Sequence, residues 1–265
     1  MELLKLDIQD AIATLTINRP DAGNALGREG DGLAAQAVCA EINADHNVRC
    51  VILTGAGKHF SAGGDVKAMK DRTGAFAADG VAIRDGYRKN IHQFINAIMS
   101  IEVPLIAGVN GAAIGLGCDV ACLADIRIAS DKAIFGATFL KLGLVPGDGG
   151  AWLLPRVIGM SRASELLYTG STISAATAEN WGLVSRVVPH ENLKEEVEAL
   201  ANAISCQPRH ALRFTKSLMR QGQTSSYETI LEMSAVFQAV SHLTADHMEG
   251  VTALLEKRAP VFKGK

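Results

Sequence analysis

Apolar and β-branched residues alternate with polar ones from Ala11 to Asn18, AIATLTIN, and the pattern stops at Arg19-Pro20. Period-2 alternation of this kind predicts a strand. A second apolar run, VRCVILTG from Val48 to Gly55, is short, closes on glycine and predicts a buried strand. Between them Glu29 to Ala44 predicts a helix, with Gly30 and Gly32 near its start. Farther on, Ile83, Tyr87, Ile91, Phe94, Ile95 and Ile98 recur at helical spacing, so Val81 to Ser100 predicts a helix with one face to bury. The small and polar stretch before it, DRTGAFAADG from Asp71 to Gly80, predicts a loose connection or frayed helix that could act as a lid.

Pro104 opens a third strand, PLIAGVN, and the turn GAAIGLG from Gly111 to Gly117 leads into a short helix around Cys118 to Leu123. Strand-like IRIAS and AIFGA follow, and LVSRVV comes after Gly182. Beyond Pro189 the pattern is helical throughout: Glu191 to Ser205, Arg209 to Gln221 and Tyr227 to Lys257. The expectation is an α/β core over residues 1–190 followed by a helical region over 191–265. The last helix carries Ile230, Leu231, Met233, Val236, Phe237, Val240 and Leu243, more apolar surface than a lone exposed helix should show, so it is expected to join subunits.

Composition narrows the partners. The chain has 265 residues, 48% of them hydrophobic, and a formal net charge of -2 with Lys and Arg scattered along it. That balance supplies no basic stripe for nucleic acid or an anionic membrane, which leaves a small molecule as the expected partner. The start MELLKLDIQD is acidic within ten residues and lacks a long apolar run. No secretory signal or membrane span is expected, and the expected location is the cytoplasm. Cys39, Cys50, Cys118, Cys122 and Cys206 are an odd number without a CxxC pair, which predicts reduced, mostly buried thiols. His242 and His247 are five apart and should not share a helix face, and no metal site is expected.

Two turns have the same design of apolar strand, small residues and helix start. In VILTGAGKHFSAGGD, Ala62, Gly63 and Gly64 precede Asp65; in LIAGVNGAAIGLGCD, Gly115, Leu116 and Gly117 precede Cys118 and Asp119. Small residues admit a ligand close to the backbone, and a helix start offers unpaired N–H groups. Glycine at such turns is also common for conformational reasons alone. GLGCDV lacks the third glycine of a dinucleotide fingerprint, and neither GxxxxGK[ST] nor GxSxG occurs. The third candidate is Asp148, in LGLVPGDGGAWLLPR. It stands just ahead of an apolar helix, where it can be that helix's N-cap, an acid/base, or both.

The blocks NRPDAGNAL, GKHFSAGGDVKAM, PLIAGVNGAAIGLGCDVACLADIRIAS, LGLVPGDGGAWLLPRVIG, AENWGLVSRVV and EGVTALLEKRAPVF occur in order from Asn18 to Phe262. Together they resemble the crotonase superfamily, the enoyl-CoA hydratase/isomerase group. The resemblance implies an α/β spiral of ββα units with a C-terminal helical trimerisation region, hence a homotrimer or homohexamer. It implies an acyl-CoA thioester substrate with no further cofactor, a CoA-contacting loop over Ala62, Gly63, Gly64 and Asp65, and an oxyanion hole built from the backbone N–H groups of Ala62 and Leu116.

Removing a proton α to a thioester puts charge on its carbonyl oxygen, and two fixed donors in a dry pocket stabilise that enolate. Family hydratases use two glutamates, and their positions fall here on Asp119 and on Phe139, which cannot titrate. Asp148 lies where several isomerase-like and dehalogenase-like relatives carry a working aspartate. To act as a base near neutral pH it needs a raised pKa, which an apolar wall such as Phe139 and Trp152 could supply. Asp65 is expected to cap its helix, and Lys257 and Arg258 to be solvated or to meet CoA phosphates. The leading expectation is double-bond isomerisation through Asp148. Hydration or dehydration through Asp119 with Asp148 is the alternative, followed by thioester hydrolysis with Asp148 as nucleophile and by a non-catalytic RNA-binding relative.

Overall fold

The computed structural model describes residues 2–77 and 79–264. The chain opens with β1 (Leu4–Gln9), β2 (Ile12–Ile17), α1 (Asp31–Ala44), β3 (Cys50–Gly55) and α2 (Val66–Asp71). A long helical segment then runs through α3 (Gly80–Gly86), a π-helical turn (Tyr87–His92) and α4 (Gln93–Met99). Next come β4 (Leu105–Val109), β5 (Ala112–Ile114), α5 (Leu116–Leu123), β6 (Ile126–Ser130), β7 (Ile134–Gly136), α6 (Gly150–Ile158) and α7 (Met160–Thr169). The chain closes with β8 (Thr172–Ser174), α8 (Ala175–Trp181), β9 (Arg186–Val188), α9 (Leu193–Ser205), α10 (Arg209–Gln221), α11 (Tyr227–His242) and α12 (Ala245–Glu256).

The large sheet has the order β1-β2-β3-β4-β6-β9, with β1 and β2 antiparallel and each later pair parallel. Parallel strands are covered on both faces, which is why CVILTG and LIAGV are almost wholly apolar. The small sheet is β5-β7-β8. Two successive units, β4-β5-α5 and β6-β7-α6, each send one strand to the large sheet and one to the small sheet before turning into a helix. This is the ββα spiral that the sequence blocks imply.

The main core lies on one face of the large sheet and gathers Leu15, Leu53, Phe60, Phe94, Leu105 and Phe135. On the other face Cys50, Ile52, Ile106 and Ile128 pack against Leu193, Val197 and Ala201 of α9. The first helix past residue 190 therefore covers the sheet, while the later helices extend from it.

Two helical expectations change. The span Val81 to Ser100 is helical but passes through a π-turn, and the preceding Asp71 to Gly80 stretch contains one short 3-10 turn, Gly74–Phe76, with Ala78 outside the described residues. The expected single helix Tyr227 to Lys257 is two helices. Thr244 adopts an extended backbone and its hydroxyl accepts the His247 N–H at 3.1 Å, capping α12. That break brings His242 Nδ1 to 3.0 Å from His247 Nε2, although an unbroken helix would hold their rings on different faces.

Candidate active site

The two glycine turns lie side by side because β5 pairs with the first of them. Ser61 donates its N–H to Ala112 O at 2.9 Å and accepts the Ile114 N–H at 3.0 Å. Gly117 permits this approach, since a Cβ there would sit 2.3 Å from Ser61 O. Gly63, at φ +96°, is held as closely: a Cβ on it would be 2.5 Å from Ile114 O and 3.6 Å from the Leu116 nitrogen. Leu116 is the first residue of α5, where an N–H has no acceptor within the helix.

The expected second donor, Ala62, is corrected by its partner. Its N–H donates to Gly23 O at 2.8 Å, so it cannot also serve a thioester oxygen. The Gly63 N–H goes to Ser61 Oγ at 3.2 Å. Of Ala62, Gly63 and Gly64, it is Gly64 whose N–H has no acceptor among the described residues. Nothing in the residue pattern signals that Gly23 would occupy Ala62, so this shift of two positions was not visible in sequence. Asp65 caps α2 as expected: its Oδ1 accepts the Ala68 N–H at 3.0 Å, and Arg28 pairs with it at 2.8 Å.

The acids divide their duties differently from the sequence expectation. Asp148 makes no capping bond; α6 starts at Gly150 behind Gly149, at φ +96°, with no side-chain cap from either neighbour. The carboxylate at the start of α6 is that of Asp119, whose Oδ2 accepts the Gly150 N–H at 3.0 Å. Asp119 is fully buried, and its pKa is pushed well above the usual carboxylate range by burial and then by Cys122 and Asp148 nearby. Its Oδ1 has no hydrogen-bond partner among the described residues. Asp148 is 4% exposed, and burial pushes its pKa up to about 6, with His92 opposing the rise. Of the two acids Asp119, the more deeply buried, is the one held more strongly toward its neutral form.

Phe139 is half-buried, and its ring lies 3.8 Å from where a Cβ on Gly115 would stand, just ahead of Leu116. Trp152 instead faces outward, 42% exposed, with the Arg156 guanidinium 4.0 Å from its ring centroid. Arg258 is tied to Glu249 at 2.6 Å and to Glu256 at 2.7 Å, and Lys257 is exposed at the end of α12. A cavity of about 520 Å³ is lined by Met69, Phe76, Ile83, Tyr87, Leu142 and Leu144. Met69 reaches Gly64, where a Cβ would meet its methyl at 2.9 Å, and Tyr87 packs against Gly147 with its ring 3.4 Å from a Cβ there. The exposed Lys70 and Arg72 border the same cavity. Among the described residues, no cluster of three His, Cys, Asp or Glu side chains could hold a metal ion, and no helix is long and apolar enough to cross a membrane.

Open backbone donors, a neighbouring apolar cavity and a buried acid of raised pKa are features that an enzyme can use to move a proton beside a carbonyl group. The enoyl-CoA hydratase/isomerase family profile matches residues 7–265. The chain is 35% identical to the 1,2-epoxyphenylacetyl-CoA isomerase of Escherichia coli (strain K12) over 100% of both chains. It is 36% identical to the crotonyl-CoA hydratase of Syntrophomonas wolfei, over 100% of this chain and 99% of that one. The crystal structure of an enoyl-CoA hydratase from Bacillus anthracis superimposes with a TM-score of 0.92 at 33% identity, covering 99% of this chain and 100% of that one. The chain belongs to the enoyl-CoA hydratase/isomerase family. It is an acyl-CoA-processing enzyme with the crotonase fold.

Proposed function

We propose that the enzyme moves the double bond of an enoyl-CoA, with Asp148 carrying the proton. The observation that supports this most strongly is the contrast between the two acids: Asp119 is held toward its neutral form by burial and is engaged at the start of α6, whereas Asp148 makes no capping bond and burial pushes its pKa up to about 6. A base of that pKa is matched to neutral pH. The carboxylate removes a proton from C2 of a 3-enoyl thioester, and the electron pair passes into the carbonyl to give a dienolate. The Gly64 and Leu116 N–H groups donate to the charged oxygen. Asp148, now protonated, returns the proton to C4, and the double bond settles between C2 and C3. One proton moves and no electron leaves, so the reaction calls for no small molecule beyond the thioester.

Phe139 supports isomerisation over hydration, because a ring at that position cannot activate or deliver water. The relative named 1,2-epoxyphenylacetyl-CoA isomerase supports the same class. Hydration is the second reading, favoured by the unpartnered Oδ1 of Asp119. The test is a panel of 3-enoyl-, 2-enoyl- and 3-hydroxyacyl-CoAs followed by absorbance of the conjugated thioester. Absorbance gained from the 3-enoyl substrate is the expected result; turnover confined to the 2-enoyl and 3-hydroxyacyl pair would replace isomerisation with hydration. The exposed apolar faces of α11 and α12 support assembly as a homotrimer or homohexamer.

A further inference from the structure

The helix beside Asp148 leaves α-geometry at one place. Tyr87–His92 forms a π-helical turn, in which residues five apart come round to one face. In an α-helix Tyr87 and His92 would point roughly 140° apart. Here their rings meet edge-on, with centroids 6.3 Å apart, and both reach the segment that carries Asp148. His92 Nε2 lies 2.8 Å from Gly147 O. A carbonyl oxygen only accepts, so Nε2 carries the hydrogen. That carbonyl belongs to the peptide joining Gly147 to Asp148, the peptide that sets the direction of the acid. No cap bond to α6 holds Asp148 in its place.

We propose that His92 is a positioning residue for Asp148: its Nε2–H holds the Gly147–Asp148 peptide in place. The proposal rests on Asp148 as the proton carrier. Burial drives Asp148 toward its neutral form, and His92 is the neighbour that opposes it. The other titratable groups around the acid are Tyr87, raised by burial and by Asp148, and Asp119 of α5. Helix α1, packed on the π-turn, brings Asp31, bonded to Arg19 at 2.8 Å; α3 brings Arg84 and Asp85, paired at 3.5 Å. Arg88 and Lys89 of the turn itself are exposed. The imidazole is thus the basic group set against the carboxylate, and a positive charge there favours the ionised acid.

The test compares His92→Leu, which removes donor and charge, with His92→Gln, which keeps an N–H for Gly147 O and loses the charge. Rates on the 3-enoyl-CoA are measured from pH 4.5 to 8.5. His92→Leu is expected to lower kcat by about 10-fold or more with KM changed by less than about twofold, as befits a displaced acid. His92→Gln is expected to recover most of kcat while the acidic limb of its pH profile moves up from near 6, by about half a unit or more. Equal losses in both variants with an unmoved limb, or no loss in either, would overturn the proposal. NMR of the His92 ring reads the contact without turnover: a slowly exchanging, hydrogen-bonded Nε2–H is expected in the wild type, and an Nε2–H that exchanges as fast as a free imidazole's would overturn the proposal. An Asp148→Asn enzyme that keeps its rate would instead defeat the acid assignment alone.

Discussion

At the scale of residues, Asp148 is a group whose chemistry and stability pull in opposite directions. Its folded pKa of about 6 exceeds the unfolded value of 3.8. The native state therefore holds the proton more tightly, and that contribution to stability is full below about pH 4 and lost as pH rises through 6. The shift corresponds to ~3 kcal/mol as an upper figure, forgone at pH 7.5 where the buried carboxylate is charged. Asp148→Asn removes that charge without removing the side chain. The expected outcome at pH 7.5 is kcat lower by about 100-fold or more and a thermal midpoint higher by several degrees, since ~1 kcal/mol moves it about 2–4 °C in a protein of this size. A variant that loses activity and stability together would make Asp148 a structural group. In the wild type, kcat should fall with acidity below about pH 6, where the base becomes protonated. The donor at Leu116 has its own variant. Leu116 is the first residue of α5, where proline is tolerated, so Leu116→Pro deletes the N–H, and Leu116→Ala, which loses the same buried side chain but keeps the N–H, is its control. The expected loss in kcat is about 100- to 1,000-fold with butyryl-CoA binding kept in calorimetry; an unchanged rate would remove Leu116 from the oxyanion hole.

At the scale of elements, what decides the site is how one element ends against another, and that is where the residue pattern was least informative. Strands such as CVILTG and LIAGV, and the helical periodicity from Ile83 to Ile98, were readable because burial on a sheet or helix face imposes a period on the chain. So was the pairing of the glycine turns, since each needed small residues at a strand-to-helix junction. The cap of α6 was not readable: Asp148 stands next to that helix in sequence, yet the bond comes from Asp119, 31 residues earlier. The Ala62 donor failed for the same reason, its N–H being taken by Gly23 across the fold. The facing of Tyr87 and His92 required a π-turn, which a 3.6-residue period hides. The Asp119 cap makes a testable statement about Gly150. Helix propensity predicts that Gly150→Ala would gain up to about 1 kcal/mol. A Cβ there, however, would stand 2.4 Å from Asp119 Oδ1 and 2.7 Å from Oδ2, with both atoms locked in a buried place. Overpacking of this kind costs about 1–3 kcal/mol, so denaturant unfolding should show a net loss in spite of propensity. A stabilised Gly150→Ala would mean that Asp119 is free to move and does not anchor α6.

At the scale of the whole molecule, one side of the last two helices is left open by the described residues. α11 is joined to α10 through the stacked rings of Phe214 and Phe237, 4.6 Å apart. Its other side and α12 leave Leu231, Val236, Val240, Leu243, Leu254 and Leu255 exposed, with Leu243 at 88% and Leu254 and Leu255 at 78% each. The core is already complete on both faces of the large sheet, so folding gains nothing from keeping these side chains apolar. Exposed apolar side chains of this kind are what a subunit contact covers. The break at Thr244 fits that role, because it redirects α12 and sets Leu243 at the corner between two helices. Light scattering at micromolar concentration is expected to report a trimer or hexamer. A Leu254→Glu, Leu255→Glu double variant should dissociate it while costing the subunit little stability, since exposed positions typically change it by about 0.5 kcal/mol or less each. A monomeric wild type would refute the interface. A double variant that keeps its full mass would move the contact to another part of the helical region.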